Sequence, residues 1–163
     1  MDKPALTIRP ATDADSDAVI EIVAEAYDQY EGCILLVEEE ESALLTPSTA
    51  YRQDGGEFWV VENANKVVAS IGITQMDQAN VWYLSKLYVL STARKAGLGQ
   101  RLCAMVEDWV KERGGEQIEL HTDTRFVEAH RLYERLGYQR QAQTRILNDA
   151  SETEEFHYRK QLS

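Results

Sequence analysis

The sequence predicts a single α+β domain, residues 1–163, built on a mixed and mainly antiparallel sheet of about seven strands flanked by about four helices. Three observations carry that expectation. Short runs alternating apolar and polar residues, or rich in β-branched and aromatic ones, recur between turn residues. Other stretches place apolar residues at helical spacing. The order of these stretches sets three strands in succession ahead of a strand, helix, strand unit, which calls for a mixed sheet. Length agrees, because 163 residues with 44% hydrophobic content can bury one sizeable core.

Each element has a local cause. ALTIRPAT, residues 5–12, alternates and reads as a first strand ended by Pro10. Thr12 and Asp15 have capping-box spacing, and Val19, Ile22, Val23, Ala26 and Tyr27 recur at helical intervals, so a first helix follows. In residues 31–54, VEEEESALL starts a short helix whose acidic residues 38–41 suit the positive end of the helix dipole, and Pro47 is expected to interrupt it. Gly55 and Gly56 punctuate the chain before EFWVVE, KVVASIGITQM and NVWYLSKLYVL, three strands separated by the turn-like NAN and DQAN. Next, Leu98, Leu102, Met105, Val106, Trp109 and Val110 share a helical face that stops at Gly114 and Gly115. QIELHT is a further strand. In FVEAHRLYERLGY, Ala129, Leu132, Tyr133 and Leu136 line one face of a last helix stopped by Gly137, and QAQTRIL and EEFHYRK complete the strands.

Composition narrows the function. The net charge is -11, and it is unevenly spread: residues 1–77 hold 4 Lys or Arg against 16 Asp or Glu, and residues 78–163 hold 13 against 12. An acidic surface favours solubility and also supplies a negative field for a cationic substrate. No basic stripe interleaved with aromatics exists to neutralise a phosphate backbone, so nucleic acid is not an expected partner. No run is apolar enough to span a bilayer, so a membrane is not expected either and the cytoplasm is the expected location. Cys33 and Cys103 are read as ordinary thiols, and His121, His130 and His157 have no paired-ligand spacing, so no metal is expected.

The stretch LSTARKAGLGQRL, residues 90–102, carries the chemistry. A strand, a glycine loop and a helix present free backbone N–H groups and a positive dipole end to an anion. Arg94 and Lys95 add charge, while Gly97 and Gly99 clear side chains from the approach. A Walker loop is excluded because GxxxxGK[ST] is absent. A dinucleotide loop starts correctly as GxG with Glu119 about twenty residues on, but Leu102 stands where a third glycine belongs. Coenzyme A pyrophosphate is the third reading.

At these residues the chain resembles the GNAT superfamily of acyl-CoA-dependent N-acetyltransferases. LSKLYVLSTARKAGLGQRL is similar to the family's apolar strand followed by [Q/R]-x-x-G-x-[G/A], matched by Arg94, Gly97 and Gly99, and AHRLYERLGY resembles its later helix motif. The resemblance covers essentially the whole chain. It implies that the backbone of Leu87, Tyr88 and Val89 pairs with a pantetheine arm, that the amides of Lys95, Ala96, Gly97, Leu98, Gly99 and Gln100 cradle a pyrophosphate, and that Tyr133 is the acid that protonates a departing thiolate. The co-substrate implied is acetyl-CoA and the acceptor a primary amine of a cationic small molecule or peptide. A homodimer is compatible with the family. Where many members carry Asn, three residues before the helix alanine, this chain carries Phe126.

Acyl transfer also needs an oxyanion donor and a route for the amine's proton. The N–H of Val89 is the expected donor. His121 and Asp123 are candidate bases, with solvent as the alternative. A non-catalytic acyl-CoA-binding regulator and, lower still, a nicotinamide-dependent oxidoreductase remain competing readings.

Overall fold

The computed structural model describes residues 6–94 and 96–163. A seven-stranded sheet runs through it, with β1 (Leu6–Pro10), β2 (Glu57–Asn63), β3 (Lys66–Gln75), β4 (Val81–Val89), β5 (Gln117–Asp123), β6 (Gln139–Ile146) and β7 (Glu154–Gln161) in the spatial order β1-β2-β3-β4-β5-β7-β6. Every neighbouring pair is antiparallel except β4 and β5, which run parallel. Five helices flank it: α1 (Ser16–Asp28), α2 (Val37–Glu40), α3 (Pro47–Gln53), α4 (Leu98–Glu112) and α5 (Val127–Arg135).

The extra helix corrects the reading of residues 31–54. Pro47 does not interrupt a helix but opens α3 at its first turn, where its fixed φ and missing N–H cost nothing. The acidic run forms only the four-residue α2, followed by a 3-10 turn over Ser42–Leu45. The expected capping box is present on the 3-10 turn Asp13–Asp15 that leads into α1, with the Thr12 N–H donating to Asp15 Oδ2 at 2.8 Å. The NAN turn closes the β2/β3 hairpin with Ala64 and Asn65 both at positive φ, 51° and 68°, the pattern of a two-residue turn matched to strand twist.

Pleating sends alternate residues of β2 to opposite faces. Trp59 and Val61 join the core under α4 and α5, with Ile71, Trp82, Leu102, Val106 and Tyr158, while Phe58 and Val60 pack beneath α1 and α3 with Val19, Val23 and Tyr51. Cys103 is fully buried in the first core, and burial pushes its thiol up to about 12, which makes it an inert apolar filler. The α4 face is as expected, although Met105 and Trp109 lie at its edge, where Trp109 meets Trp59 and Trp82 edge-on at 5.4 Å each.

Gly72 marks the tightest contact on the α3 side. A Cβ there would meet the Tyr51 ring and stand 2.9 Å from Phe58, two rings already packed edge-on at 4.9 Å. Gly72→Ala should therefore cost about 1–3 kcal/mol through overpacking and lower the thermal midpoint by several degrees. A melt followed by circular dichroism that leaves the midpoint unmoved would contradict this packing.

Candidate active site

The site exists because β4 and β5 part. Their parallel pairing covers only Val81, Trp82 and Tyr83 against Gln117, Ile118 and Glu119, after which β5 continues against β7 as far as Asp123. β4 meanwhile stays on β3 but with a bulge: Ser70 pairs Tyr88 while Gly72 pairs Ser85, so an extra residue is accommodated and the strand bends. Lys86 absorbs it at φ 58°, a left-handed conformation that costs a non-glycine residue about 1 kcal/mol or more. Two contacts hold it there. Ser70 Oγ donates to the Lys86 carbonyl at 2.8 Å, and Lys86 Nζ pairs with Glu41 at 2.7 Å.

Beyond the bulge the outer edge of β4 is open. The Leu90 N–H donates to the Val68 carbonyl at 2.9 Å. Alternation in an antiparallel ladder then turns the Val89 N–H the other way, toward the gap that β5 has left. That gap is a cleft of about 700 Å³, lined by the ends of β4, α4 and α5. Leu87, Tyr88, Val89, Arg94, Gly97, Leu98, Gly99, Gln100 and Tyr133 all reach it. Ala96 is exposed and does not line it, and Lys95 lies outside the described residues.

The glycine loop is built as the sequence suggests. Gly97 is the N-cap of α4 at φ 72°, where L-residues are disfavoured, and no side chain caps the helix. The first-turn N–H groups of Leu98, Gly99 and Gln100 have no partner among the described residues. Gly99 has a second reason, since a Cβ there would come within 2.9 Å of Leu132 on α5. Arg94 is steered rather than free: its Nε donates to the Val89 carbonyl at 3.2 Å and its guanidinium reaches Gln29 Oε1 at 3.1 Å. Glu25 of α1 fixes the loop's start by accepting from the Ser91 N–H at 2.7 Å.

A second pocket of about 220 Å³ opens on the other side of Tyr133, and it holds His121 and Asp123. Four carboxylates line it, Glu41, Asp123, Asp149 and Glu155, with Lys86 and Arg145 as the lining cations. Residues 31–41 roof the pocket through contacts with the β6/β7 loop: the Ile34 N–H donates to Ser151 Oγ at 2.8 Å, Ser151 Oγ donates back to the Ile34 carbonyl at 3.0 Å, and the Ala150 N–H donates to Glu40 at 2.9 Å.

The two candidate bases differ sharply in environment. Asp123 is gripped by Arg125, which donates to one carboxylate oxygen at 2.9 Å from both its main-chain N–H and its Nε, and to the other at 2.9 Å from the guanidinium. His121 instead bonds Tyr83 Oη through Nδ1 at 2.8 Å and stacks on His157 with ring centroids 4.6 Å apart. Burial, reinforced by the positive charge of Arg145, pushes His121 down to about 4. Its imidazole is neutral at pH 7. Tyr133 is the opposite case: burial holds its hydroxyl far above the ordinary phenol range, so it remains protonated. Glu119 lies outside the cleft, bound by His157 Nε2 at 2.6 Å and Arg159 Nε at 3.2 Å, and is not where a nucleotide ribose would need it.

Tyr83, Arg145 and the Lys86–Glu41 pair were not legible in the sequence. Nothing in their local spacing separates them from any strand or loop polar residue, because it is the sheet that joins them. His130, buried with Nε2 2.9 Å from the Asp123 carbonyl, likewise anchors α5 to the end of β5 without a sequence signal.

A sheet whose central parallel pair splits beside a glycine-started helix is the architecture of the acyltransferases suggested above. The model of the acetyltransferase (GNAT) family matches residues 17–138, and the chain belongs to that family. The uncharacterized N-acetyltransferase YjgM of Escherichia coli is 34% identical over 91 residues, covering 55% of this chain and 54% of that protein, so the match spans about half of that relative's length. Among solved structures, a GNAT-family acetyltransferase from Staphylococcus aureus Mu50 superposes with a TM-score of 0.83 at 22% identity, over 98% of this chain and 100% of that one. Salmonella typhimurium YncA, solved with its cofactor acetyl-CoA, has a TM-score of 0.73 at 20% identity over 98% of this chain and 95% of that one.

The depressed His121 basicity sets a pH signature. The unfolded chain takes up this proton near 6.5, whereas the folded chain resists it until about 4, so the stability that the neutral ring contributes is complete above 6.5 and is lost as pH falls through that window. An NMR titration should place the His121 midpoint near 4, and His121→Gln should flatten the fall in melting temperature between pH 7 and pH 4.5. A His121 midpoint at or above 6 would refute the environment described.

Proposed function

We propose that this chain is an N-acetyltransferase that moves an acetyl group from acetyl-CoA to a primary amine by direct attack. The observation that carries the reading is the meeting of two cavities at one protonated tyrosine, Tyr133, beside the free edge of β4. Acetyl-CoA fits the first cleft by its chemistry: an anionic pyrophosphate suits the unpaired first-turn N–H groups of α4, and an amide-bearing arm suits the unpaired edge of β4. When bound, acetyl-CoA supplies the acyl group as a thioester.

The chain's own residues then divide the work. The Val89 N–H faces the gap and is the donor for the oxyanion that develops as the amine nitrogen bonds to the carbonyl carbon. Tyr133 gives its hydroxyl proton to the sulfur as the carbon–sulfur bond breaks. An acceptor that arrives as an ammonium gives one proton to solvent to become the free amine that attacks. Once the nitrogen has bonded to carbon its second proton leaves to solvent by way of His121, whose neutral imidazole is a weak base, and Tyr133 is reprotonated from solvent. Asp123 is the weaker candidate, because Arg125 already occupies both of its oxygens. Acceptor specificity falls to the second pocket, where Lys86, Arg125 and Arg145 pair with Glu41, Asp123 and Glu155 and the remaining carboxylate, Asp149, favours an acceptor that arrives as an ammonium. An elongated acceptor, a cationic small molecule or a peptide amine, can leave its remainder at the acidic surface of the first half.

A thiol-release screen with acetyl-CoA against polyamines, aminoglycosides, amino acids and peptides tests the activity. Acetyl-CoA binding with no thiol release from any amine would favour the regulatory reading. Tyr133→Phe should lower kcat by roughly 10²–10⁴ while leaving acetyl-CoA affinity within about twofold; an equal loss of both would make the tyrosine structural. For a cationic acceptor, KM should rise as salt is raised from 50 to 500 mM, and a flat response would remove the electrostatic account of acceptor choice.

A further inference from the structure

The donor cleft and the acceptor pocket share five lining residues, Leu87, Tyr88, Phe126, Ala129 and Tyr133. An acyl group that passes from a thioester in one cavity to an amine in the other must hold its carbonyl carbon beside this common wall. Leu87 and Tyr88 belong to β4, while Ala129 and Tyr133 belong to α5. Phe126, the N-cap residue of α5, is the member that reaches across to α1 and the turn after it. Its ring centroid is 4.9 Å from that of Tyr30, 6.2 Å from Tyr27 and 6.5 Å from Tyr88. Phe126 and Tyr30 are each half-buried, so the pair bridges the gap and still faces the cavities.

Such a bridge limits the space beyond the carbonyl. An aromatic ring has a fixed shape and few rotamers, and Phe126 cannot swing toward α1 without displacing Tyr30. On the other sides stand the β4 backbone and the buried Tyr133. A methyl group needs little room against this wall, whereas each further methylene must push the ring against Tyr30. We infer that Phe126, backed by Tyr30, is the specificity-determining residue for acyl length and restricts the transferred group to acetyl over longer acyl chains. The inference rests on the acyl-CoA reading above.

Binding to the full chain tests it without a known acceptor. Calorimetric Kd values for CoA, acetyl-CoA and butyryl-CoA are measured for the wild type, Phe126→Ala and Tyr30→Ala. A pocket that rejects extra methylenes discriminates by about 10- to 200-fold per group. The wild type should prefer acetyl-CoA to butyryl-CoA by about a hundredfold or more, Phe126→Ala should abolish most of that preference, and Tyr30→Ala should reduce it, each ratio being read against the same variant's own affinity for CoA. An unchanged acetyl-to-butyryl ratio in folded Phe126→Ala overturns the inference and leaves the acetyltransferase reading intact. Should Phe126→Ala fail to fold, an unchanged ratio in Tyr30→Ala does the same. Failure of the wild type to bind either CoA or acetyl-CoA overturns both.

Discussion

Everything functional in this protein depends on the parting of β4 from β5 after Tyr83. A continuous sheet would bury the outward-facing N–H and C=O groups of Leu87 and Val89 in a ladder and leave no cavity. The parting exposes them because the bulge at Lys86 bends β4 while β5 stays committed to β7. The left-handed Lys86 is unfavourable in isolation, and it persists because Ser70 holds its carbonyl and Glu41 holds its side chain. The strain is stored where the chain needs an open strand edge.

The two cavities that result differ in chemistry. The first cleft presents main-chain groups: an open strand edge and a helix start with no side-chain cap, neither of which depends on side-chain ionisation. The second pocket is a collection of ion pairs, Lys86–Glu41, Arg125–Asp123 and Arg145–Glu155, around an imidazole kept neutral by burial and the neighbouring guanidinium of Arg145. The neutral ring of His121 and the protonated phenol of Tyr133 line the same pocket.

The loops and helices around the gap are tied to one another so that neither cavity stands alone. Glu25 of α1 and Gln29, the residue after that helix, hold the glycine loop beside the first cleft, while the roof over the second pocket joins residues 31–41 to the β6/β7 loop. The segment that follows α1 therefore touches both halves of the site. Phe126 completes the link by packing the start of α5 against the end of this same region.

Much of this was legible in the residues. The succession of strands and helices along the chain, the glycine-started helix, the place of Tyr133 on a helix face and the acidic bias of the first half all follow from local patterns: period-two and period-3.6 hydrophobicity, glycines at turns, and the distribution of charged residues. Pro47 was misread because proline ends a helix or begins one according to what precedes it, and the 3-10 turn before it is set by the packing of Leu44 in the core under α1. The sequence by itself determined the strands, the long helices and the glycine-started turn into α4, since these rest on backbone rules that act within a few residues. Only the tertiary structure decided where β4 leaves β5, which carboxylates are already paired, and that Phe126 closes the wall between the cavities. Those depend on residues from distant segments meeting across the sheet, where burial and neighbouring charge are set by the fold as a whole.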